Sequence, residues 1–565
     1  MKPFDRIFRP GAASALLMWL YPLLLAIPNI ALAVTEQEPV LAKCADIALP
    51  LGIYYIIFSL SRRVGLLVWL CLPLTFFSAF QIVLLFLYGE SIIAVDMYLN
   101  VLTTNTSEAG ELLLSLWPAL LVVFVLYILP LVWASVLLVR RSRLPQGRRR
   151  APRIVGIVLT ITGVSLCVAT PGLSLRRDIF PVNVIDNMFT AISRDRATRA
   201  YHTTSAHFSH HARCTRPDSL REIYVLVVGE TSRAGNWQLL GYDRPTNPRL
   251  SRRPGLITYP RTLSQSNTTH KSVPLALSHL TAESFGDSIY STRGIADAFA
   301  EAGFHTAWLS TQARNHSFID FFAAESDTLV MLDDDHRHHY DAELIPLLDS
   351  FIHTHPSGKL MIVLHTYGGH FNYRDRYTPD HIRFRPEDFT KASSDERPRL
   401  LNAYDNTILY TDAMLDSVIS VLKAQRCPAA MLYFADHGED IYDDARKRFL
   451  HASPTPTYYQ LHVPLLAWTS PELDSIDQNL RTSLAAASRQ PVASSASVFP
   501  TMLTLAGIDS PYLDHSLSLA SDAYTPHEWL YLNDYNDGVP LAEAGLRAPD
   551  WQRLTSIFPC ISIHN

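Results

Sequence analysis

The pattern of apolar and polar positions changes character near residue 176. Before it, long stretches carry no charged residue; after it, charged, polar and apolar residues mix as in a water-soluble domain. A bilayer core about 30 Å thick takes about 20 mostly apolar residues in a helix, because every backbone polar group must find its partner within the segment. Residues 13–34, 64–88, 112–139 and 154–175 contain no Asp, Glu, Lys or Arg and are read as spans. Residues 41–60 are counted as a fifth, although Lys43 and Asp46 lie in the first half, on the expectation that flanking charges reach the interface.

Beyond residue 220, short β-branched runs at 223–228, 306–310, 360–365, 430–434 and 463–468 alternate with helical patterns such as 293–302 and 402–424. That alternation predicts crossover units and a largely parallel sheet covered by helices on both faces. Three regions follow: a five-helix transmembrane domain over 1–175, a connector over 176–219, and an α/β domain over 220–565. The connector holds an amphipathic stretch at 180–192, then His202, His207, His210 and His211, read as a solvated linker rather than a metal site.

Charge sets the orientation. Arg62 and Arg63 separate spans two and three, and Arg140, Arg141, Arg143, Arg148, Arg149, Arg150 and Arg153 separate spans four and five, with Lys2, Arg6 and Arg9 before the first. The other loops carry Glu36 and Glu38, then Glu90, Asp96, Glu108 and Glu111. Basic short loops stay in the cytoplasm, so an odd number of spans places the α/β domain outside. Beside two spans, the Arg cluster reads as a topology determinant and not as a nucleic-acid site. The formal net charge of -5 adds nothing to this picture. Six cysteines with no CxxC motif exclude a disulfide-built scaffold.

In an open parallel sheet, ligands bind beyond the carboxyl ends of the strands. The first strand runs into Glu230, Thr231, Ser232 and Arg233; the fourth runs into Asp436, His437, Gly438 and Glu439. Carboxylate oxygens and imidazole nitrogens suit zinc, and Glu230, Asp436 and His437 form a ligand set if their strands are neighbours. A run at Asp333, Asp334, Asp335 and His336 is read as a solvated loop.

The ordered set Gly229-Glu230-Thr231-Ser232-Arg233, Gly241-Tyr242, Thr246-Asn247-Pro248, Thr268-Thr269-His270-Lys271-Ser272, Gly368-Gly369-His370, Tyr404-Asp405-Asn406-Thr407, Asp436-His437-Gly438-Glu439, Leu450-His451 and His462-Val463-Pro464 resembles the bacterial phosphoethanolamine transferases. These belong to the alkaline phosphatase and sulfatase superfamily. The resemblance implies a sulfatase-like periplasmic domain on an inner-membrane anchor, and Glu230, Thr269, Asp436 and His437 as zinc ligands with Thr269 also the nucleophile. It implies His370 and His451 as further catalytic histidines, for a second metal, a phosphate contact or leaving-group protonation. It gives Asn100, Thr104 and Glu108 to the donor-lipid loop, phosphatidylethanolamine as donor, lipid A or core lipopolysaccharide as acceptor, and polymyxin resistance as the phenotype. Gln265 and Leu275 stand where lipid A-modifying relatives usually carry cysteines, and Trp308 to Gln312 is nearer to relatives that modify the core. The alternatives are a phosphoglycerol transferase, a phosphodiesterase or sulfatase that transfers to water, and a receptor on a degenerate fold. The sulfatase reading lacks its Cys/Ser-x-Pro-x-Arg nucleophile motif, and the receptor reading would be expected to have lost metal ligands.

Overall fold

A computed structural model describes residues 10–36, 38–89, 92–103, 116–315, 317–335 and 337–558. They fall in two compact units, one within Met1–Tyr98, Leu113–Ser193 and Arg446–Arg448, the other within Leu99–Leu112, Arg194–Ala445 and Phe449–Asn565. Cys44, Cys71, Cys167, Cys214 and Cys427 are free thiols; Cys560 lies outside the described residues.

The first unit is helical: α1 Pro10–Leu25, α2 Ile27–Thr35, α3 Val40–Leu60, α4 Val64–Leu70, α5 Leu72–Tyr88, α6 Trp117–Val123, α7 Leu129–Val139 and α8 Arg150–Ala169. Among the described residues, four stretches are long and apolar enough to cross a bilayer, Gly11–Thr35, Val40–Leu60, Trp117–Val139 and Gly147–Ala169, and the α4–α5 pair makes a fifth if counted as one span. This changes two expectations. The stretch at 64–88 is bent by 61° between α4 and α5, where Pro73 in the first turn of α5 lacks the N–H that would carry the helix through. The last span ends at Ala169, before the turn at Pro171 and Gly172.

The charge inside α3 is also handled differently from the expectation. Asp46 does not reach an interface: it is buried, and its Oδ1 accepts from Asn29 Nδ2 at 3.0 Å and Phe180 N at 3.2 Å. A carboxylate in an apolar helix costs less when hydrogen bonds replace its water. Small residues let α3 and α8 touch: a Cβ on Gly52 would lie 2.5 Å from Thr160 N, and one on Gly163 would lie 2.6 Å from Leu49 N.

The second unit is built on a seven-stranded sheet: β1 Glu222–Gly229, β2 Leu256–Thr258, β3 His305–Ser310, β4 Thr328–Met331, β5 Lys359–His365, β6 Ala429–Ala435 and β7 Leu465–Thr469, in the spatial order β2-β7-β6-β1-β5-β3-β4. The five strands from β6 to β4 are parallel; β7 runs antiparallel to β6, and β2 antiparallel to β7. Every position of β1 and β6 is buried, which requires helices on both faces and accounts for uninterrupted apolar runs in place of alternation. Among the helices of this unit are α9 Thr269–Ala276, α10 Ile295–Glu301, α11 Leu344–Thr354, α12 Arg397–Ala424 and α13 Ser494–Leu505.

The histidine-rich end of the connector is not uniformly solvated. His202, His207 and His211 are exposed, but His210 is fully buried, its Nε2 3.2 Å from Gly294 O, its backbone N donating to Glu301 Oε1 at 3.0 Å. Phe208, His279, Phe499 and Tyr512 surround its ring. Apart from Phe208, these aromatic neighbours come from distant sequence, which a local polar composition does not reveal.

Candidate active site

The parallel register decides which side chains meet. Val228 pairs with Phe434 and Gly229 with Ala435, so β1 and β6 end level and deliver Glu230 and Asp436 side by side. The chain turns at once after each. Thr231 takes a left-handed φ of +51°, and its N–H donates to Asp436 Oδ1 at 3.0 Å while its hydroxyl donates to Glu230 Oε1 at 2.6 Å. His437 N also donates to Asp436 Oδ1, at 2.7 Å. Two backbone donors therefore occupy one carboxylate oxygen, and the other, Oδ2, is buried without a hydrogen-bond donor, 3.2 Å from His437 Nε2.

His437 is fully buried and its tautomer is set by its own turn. Nδ1 lies 2.9 Å from Gly438 O, so it carries the proton, leaving the Nε2 lone pair facing inward. Around that nitrogen stand Thr269 Oγ1 at 2.9 Å, Asp436 Oδ2 at 3.2 Å and Glu230 Oε1 at 3.6 Å. The Thr269 hydroxyl is also 3.3 Å from Glu230 Oε2. It opens α9, and the preceding Thr268 is a buried N-cap whose hydroxyl lies 3.1 Å from Ser266 Oγ and makes no contact with the carboxylates. Thr269, and not Thr268, faces the cluster.

His451 joins the group. Its ring lies 4.0 Å from that of His437, and one ligand atom each of Glu230, His437 and His451 falls within 4.8 Å of the others. His370 follows at 6.0 Å from the His451 ring, and its Nδ1 lies 2.7 Å from Phe371 O. Of the residues expected at the donor-lipid loop, Thr104 and Glu108 lie outside the described residues, and Asn100 sits on the helix Val95–Thr103. Asp334, in the acidic run, is exposed and pairs with Arg314 at 3.2 Å.

Burial pushes Glu230 up to about 7, with Asp436 beside it adding to the shift, and burial pushes Asp436 up to about 6. Burial also holds His437 below the ordinary imidazole range, and His451 well below it, with His437, His370 and His270 opposing its charge further. Two buried carboxylates, one of them with an orphaned oxygen, and two imidazoles gathered together form a set that a divalent cation satisfies, and its charge would lower the carboxylates and keep the imidazoles neutral. The residues present fit zinc.

The support around this set explains several motif residues and adds others that the sequence did not single out. Tyr404 on α12 donates its hydroxyl to Thr231 O and accepts from Arg233 N, both at 2.8 Å. Asp405 accepts from Asn236, Tyr242 and Arg244. Asp341 was without a local signal: its Oδ1 accepts from Tyr367 N and its Oδ2 from Gly368 N, at 2.8 and 2.9 Å. It thereby fixes the turn whose Gly369 N donates to Glu230 O at 2.9 Å. Gly368 has φ +51° and a Cβ there would lie 2.5 Å from Glu230 O, so glycine is required. Gln312, after β3, donates to Thr366 O at 2.7 Å and reaches Glu230 Oε2 at 3.5 Å.

Comparison with known proteins agrees with this architecture. The phosphoethanolamine transferase EptA of Escherichia coli is 31% identical over 304 residues, 52% of this chain and 54% of that protein, so the match spans about half the length of such curated relatives. The integral membrane lipooligosaccharide phosphoethanolamine transferase A of Neisseria meningitidis superposes with a TM-score of 0.71 at 21% identity, covering 90% of this chain and 98% of that one. The C-terminal periplasmic domain of EptC from Escherichia coli, solved in complex with zinc, gives 0.52 at 23% identity, covering 60% of this chain and 97% of that one. Both structures share the fold, and the first includes the membrane helices as well as the α/β domain. The profile described as sulfatase matches residues 222–508, half of the chain and the whole of the sheet; the chain belongs to the sulfatase family.

Proposed function

We propose that this protein is a phosphoethanolamine transferase of the bacterial inner membrane. Residues 1–175 form the anchor, 176–219 the connector and 220–565 a periplasmic catalytic domain. The donor is phosphatidylethanolamine and the acceptor a lipopolysaccharide, lipid A or core. The observation that carries this reading is a hydroxyl set among metal-ligand atoms: Thr269 Oγ1 is 2.9 Å from His437 Nε2 and 3.3 Å from a Glu230 oxygen. The names of the relatives support the group transferred, and the zinc-bound EptC domain supports the metal.

Glu230, Thr269, Asp436 and His437 would hold a zinc ion, with His451 at the edge of the set. A bound zinc would favour the ionised hydroxyl of Thr269 and draw charge from the phosphoryl oxygens. Thr269 Oγ1 forms a bond to the donor phosphorus in line with the departing diacylglycerol oxygen, whose bond to phosphorus breaks. The proton lost by the Thr269 hydroxyl ends on that oxygen, carried by His370 or His451. Phosphoethanolamine remains on Thr269 until an acceptor oxygen displaces it. Asn100, Thr104 and Glu108 belong to the loop that meets the donor headgroup.

Lipid A and core oligosaccharide from cells with and without the protein are to be compared by mass spectrometry. Addition of one phosphoethanolamine only in cells carrying the active protein, with a gain in polymyxin resistance if lipid A is the acceptor, is the expected result. Unchanged lipopolysaccharide, with phosphoethanolamine released free, would replace the transferase by a hydrolase.

A further inference from the structure

Away from the metal-ligand cluster, a second pair of nucleophiles lies at the opposite, amino-terminal end of the sheet. Lys359 opens β5 and is 3% exposed. A buried ammonium needs an acceptor for each of its three N–H bonds. Lys359 Nζ is 3.1 Å from Glu222 Oε2, 3.2 Å from Arg216 O and 2.9 Å from Cys214 Sγ. Sulfur is larger than oxygen, yet the contact to it is the shortest of the three. Cys214 is a free, half-buried thiol held in place by a strand pairing to Ile508, with Sγ 3.7 Å from Ala506 O. Glu222 is fully buried and also takes Arg216 Nη1 at 3.1 Å. A half-buried thiol thus sits 2.9 Å from a fixed amine, with a carboxylate beside the amine to take its proton.

We propose that Cys214 and Lys359 are a modification site at which dioxygen joins them through an oxygen-bridged S–O–N link. The S–H bond and two N–H bonds break, and an S–O and an O–N bond form. Sulfur and nitrogen each give two electrons, and dioxygen accepts four. One of its atoms becomes the bridge and the other leaves as water with the thiol hydrogen and one amine hydrogen. The remaining ammonium proton passes to Glu222. Cysteine oxidation products that a nitrogen captures are reversible by thiols, so the bridge is a redox-sensitive tether between the connector and a central strand.

The full-length protein, purified in detergent, is to be divided into one sample kept under thiol reductant without oxygen and one equilibrated in air. Both are alkylated, digested and read by peptide mass spectrometry. The expected product in air is a pair of peptides holding Cys214 and Lys359, joined with the gain of one oxygen and the loss of two hydrogens, and separated again by reductant. Cys214→Ser and Lys359→Arg, each checked for folding by thermal melting, should give no joined pair. Complete alkylation of Cys214 after prolonged aeration of folded protein, or a joined pair with no added oxygen, would overturn the proposal.

Discussion

The proposed function asks two things of one Thr269 oxygen, to act as nucleophile and as metal ligand, and its placement beside His437 Nε2 and Glu230 is compatible with both. The neighbouring Thr268 is committed to Ser266 and to the start of α9. Thr269→Ala is expected to lower transfer by at least about 1000-fold, as removal of a nucleophile does, and to abolish the phosphoethanolamine adduct seen by peptide mass spectrometry after exposure to donor without acceptor. Thr268→Ala should keep the adduct; the reverse pattern would exchange their roles. Asp436→Ala should remove zinc from the purified protein as measured by elemental analysis, because the orphaned Oδ2 is lost along with the anchor of the Thr231 turn. Protons compete for the same atoms. Burial holds Glu230 at about 7 and Asp436 at about 6, above their ordinary values of 4.5 and 3.8. The metal-free native state therefore binds more protons than the unfolded chain, and these two groups withdraw stability as pH rises from about 4 to about 7. Zinc bound at the proposed site would cancel that loss by stabilising the ionised carboxylates. The rise in Tm on adding zinc should grow between about pH 5.5 and about pH 7.5, and thermal melts of wild type and Asp436→Ala would show it in the first only.

Among the elements, the apolar runs of the inner strands were readable because burial on both faces leaves no polar position to blur them: β1, β3, β5, β6 and β7 all stand within a few residues of the runs that announce them. The edge strands β2 and β4 were not, since three or four residues with half-buried positions carry no distinct period. The clustering of Glu230, Asp436 and His437 was legible through two strand ends, and that of Thr269 with them through a motif order. The Asp341 lock was not, because it joins segments about 26 residues apart through backbone donors, which leave no mark in composition. The same holds where the connector enters the second unit. His279 is stacked on Phe208 and lies 4.3 Å from the Tyr512 ring, and burial lowers it to about 4. A folded value below the unfolded one of about 6.5 means that the unfolded chain takes the proton first. The contribution of this histidine is therefore intact above about pH 6.5 and is lost as pH falls toward about 4, by roughly 2 kcal/mol. His279→Phe keeps the stacking and removes the titration, since no hydrogen bond holds its Nδ1. Its loss of Tm between about pH 6.5 and about pH 4 should be shallower than that of wild type; an equal slope would show that the ring is not the group being titrated.

For the whole molecule, length and charge carry the argument together. The four long apolar helices alone would return the chain to its starting side, and the bent α4–α5 pair decides the parity. Counted as a crossing, it separates the arginines at 62 and 63 from the acidic loop that begins at Glu90, and the basic cluster from Arg140 to Arg153 falls on the same side as Arg62. Read instead as a re-entrant hairpin, it would put those two basic loops on opposite sides, against the strong preference of short arginine-rich loops for the cytoplasm. The five-crossing count therefore predicts that a secreted alkaline phosphatase fused after Ser219 is active in cells, while the same reporter fused after Arg143 is inactive. A cytoplasmic reporter at the two points should give the inverse pattern. Removing residues 64–88 tests the bend itself: with one crossing fewer, the reporter after Ser219 should fall silent. Activity that survived the deletion would show that the bent pair does not cross, and that four helices set the orientation of the catalytic domain.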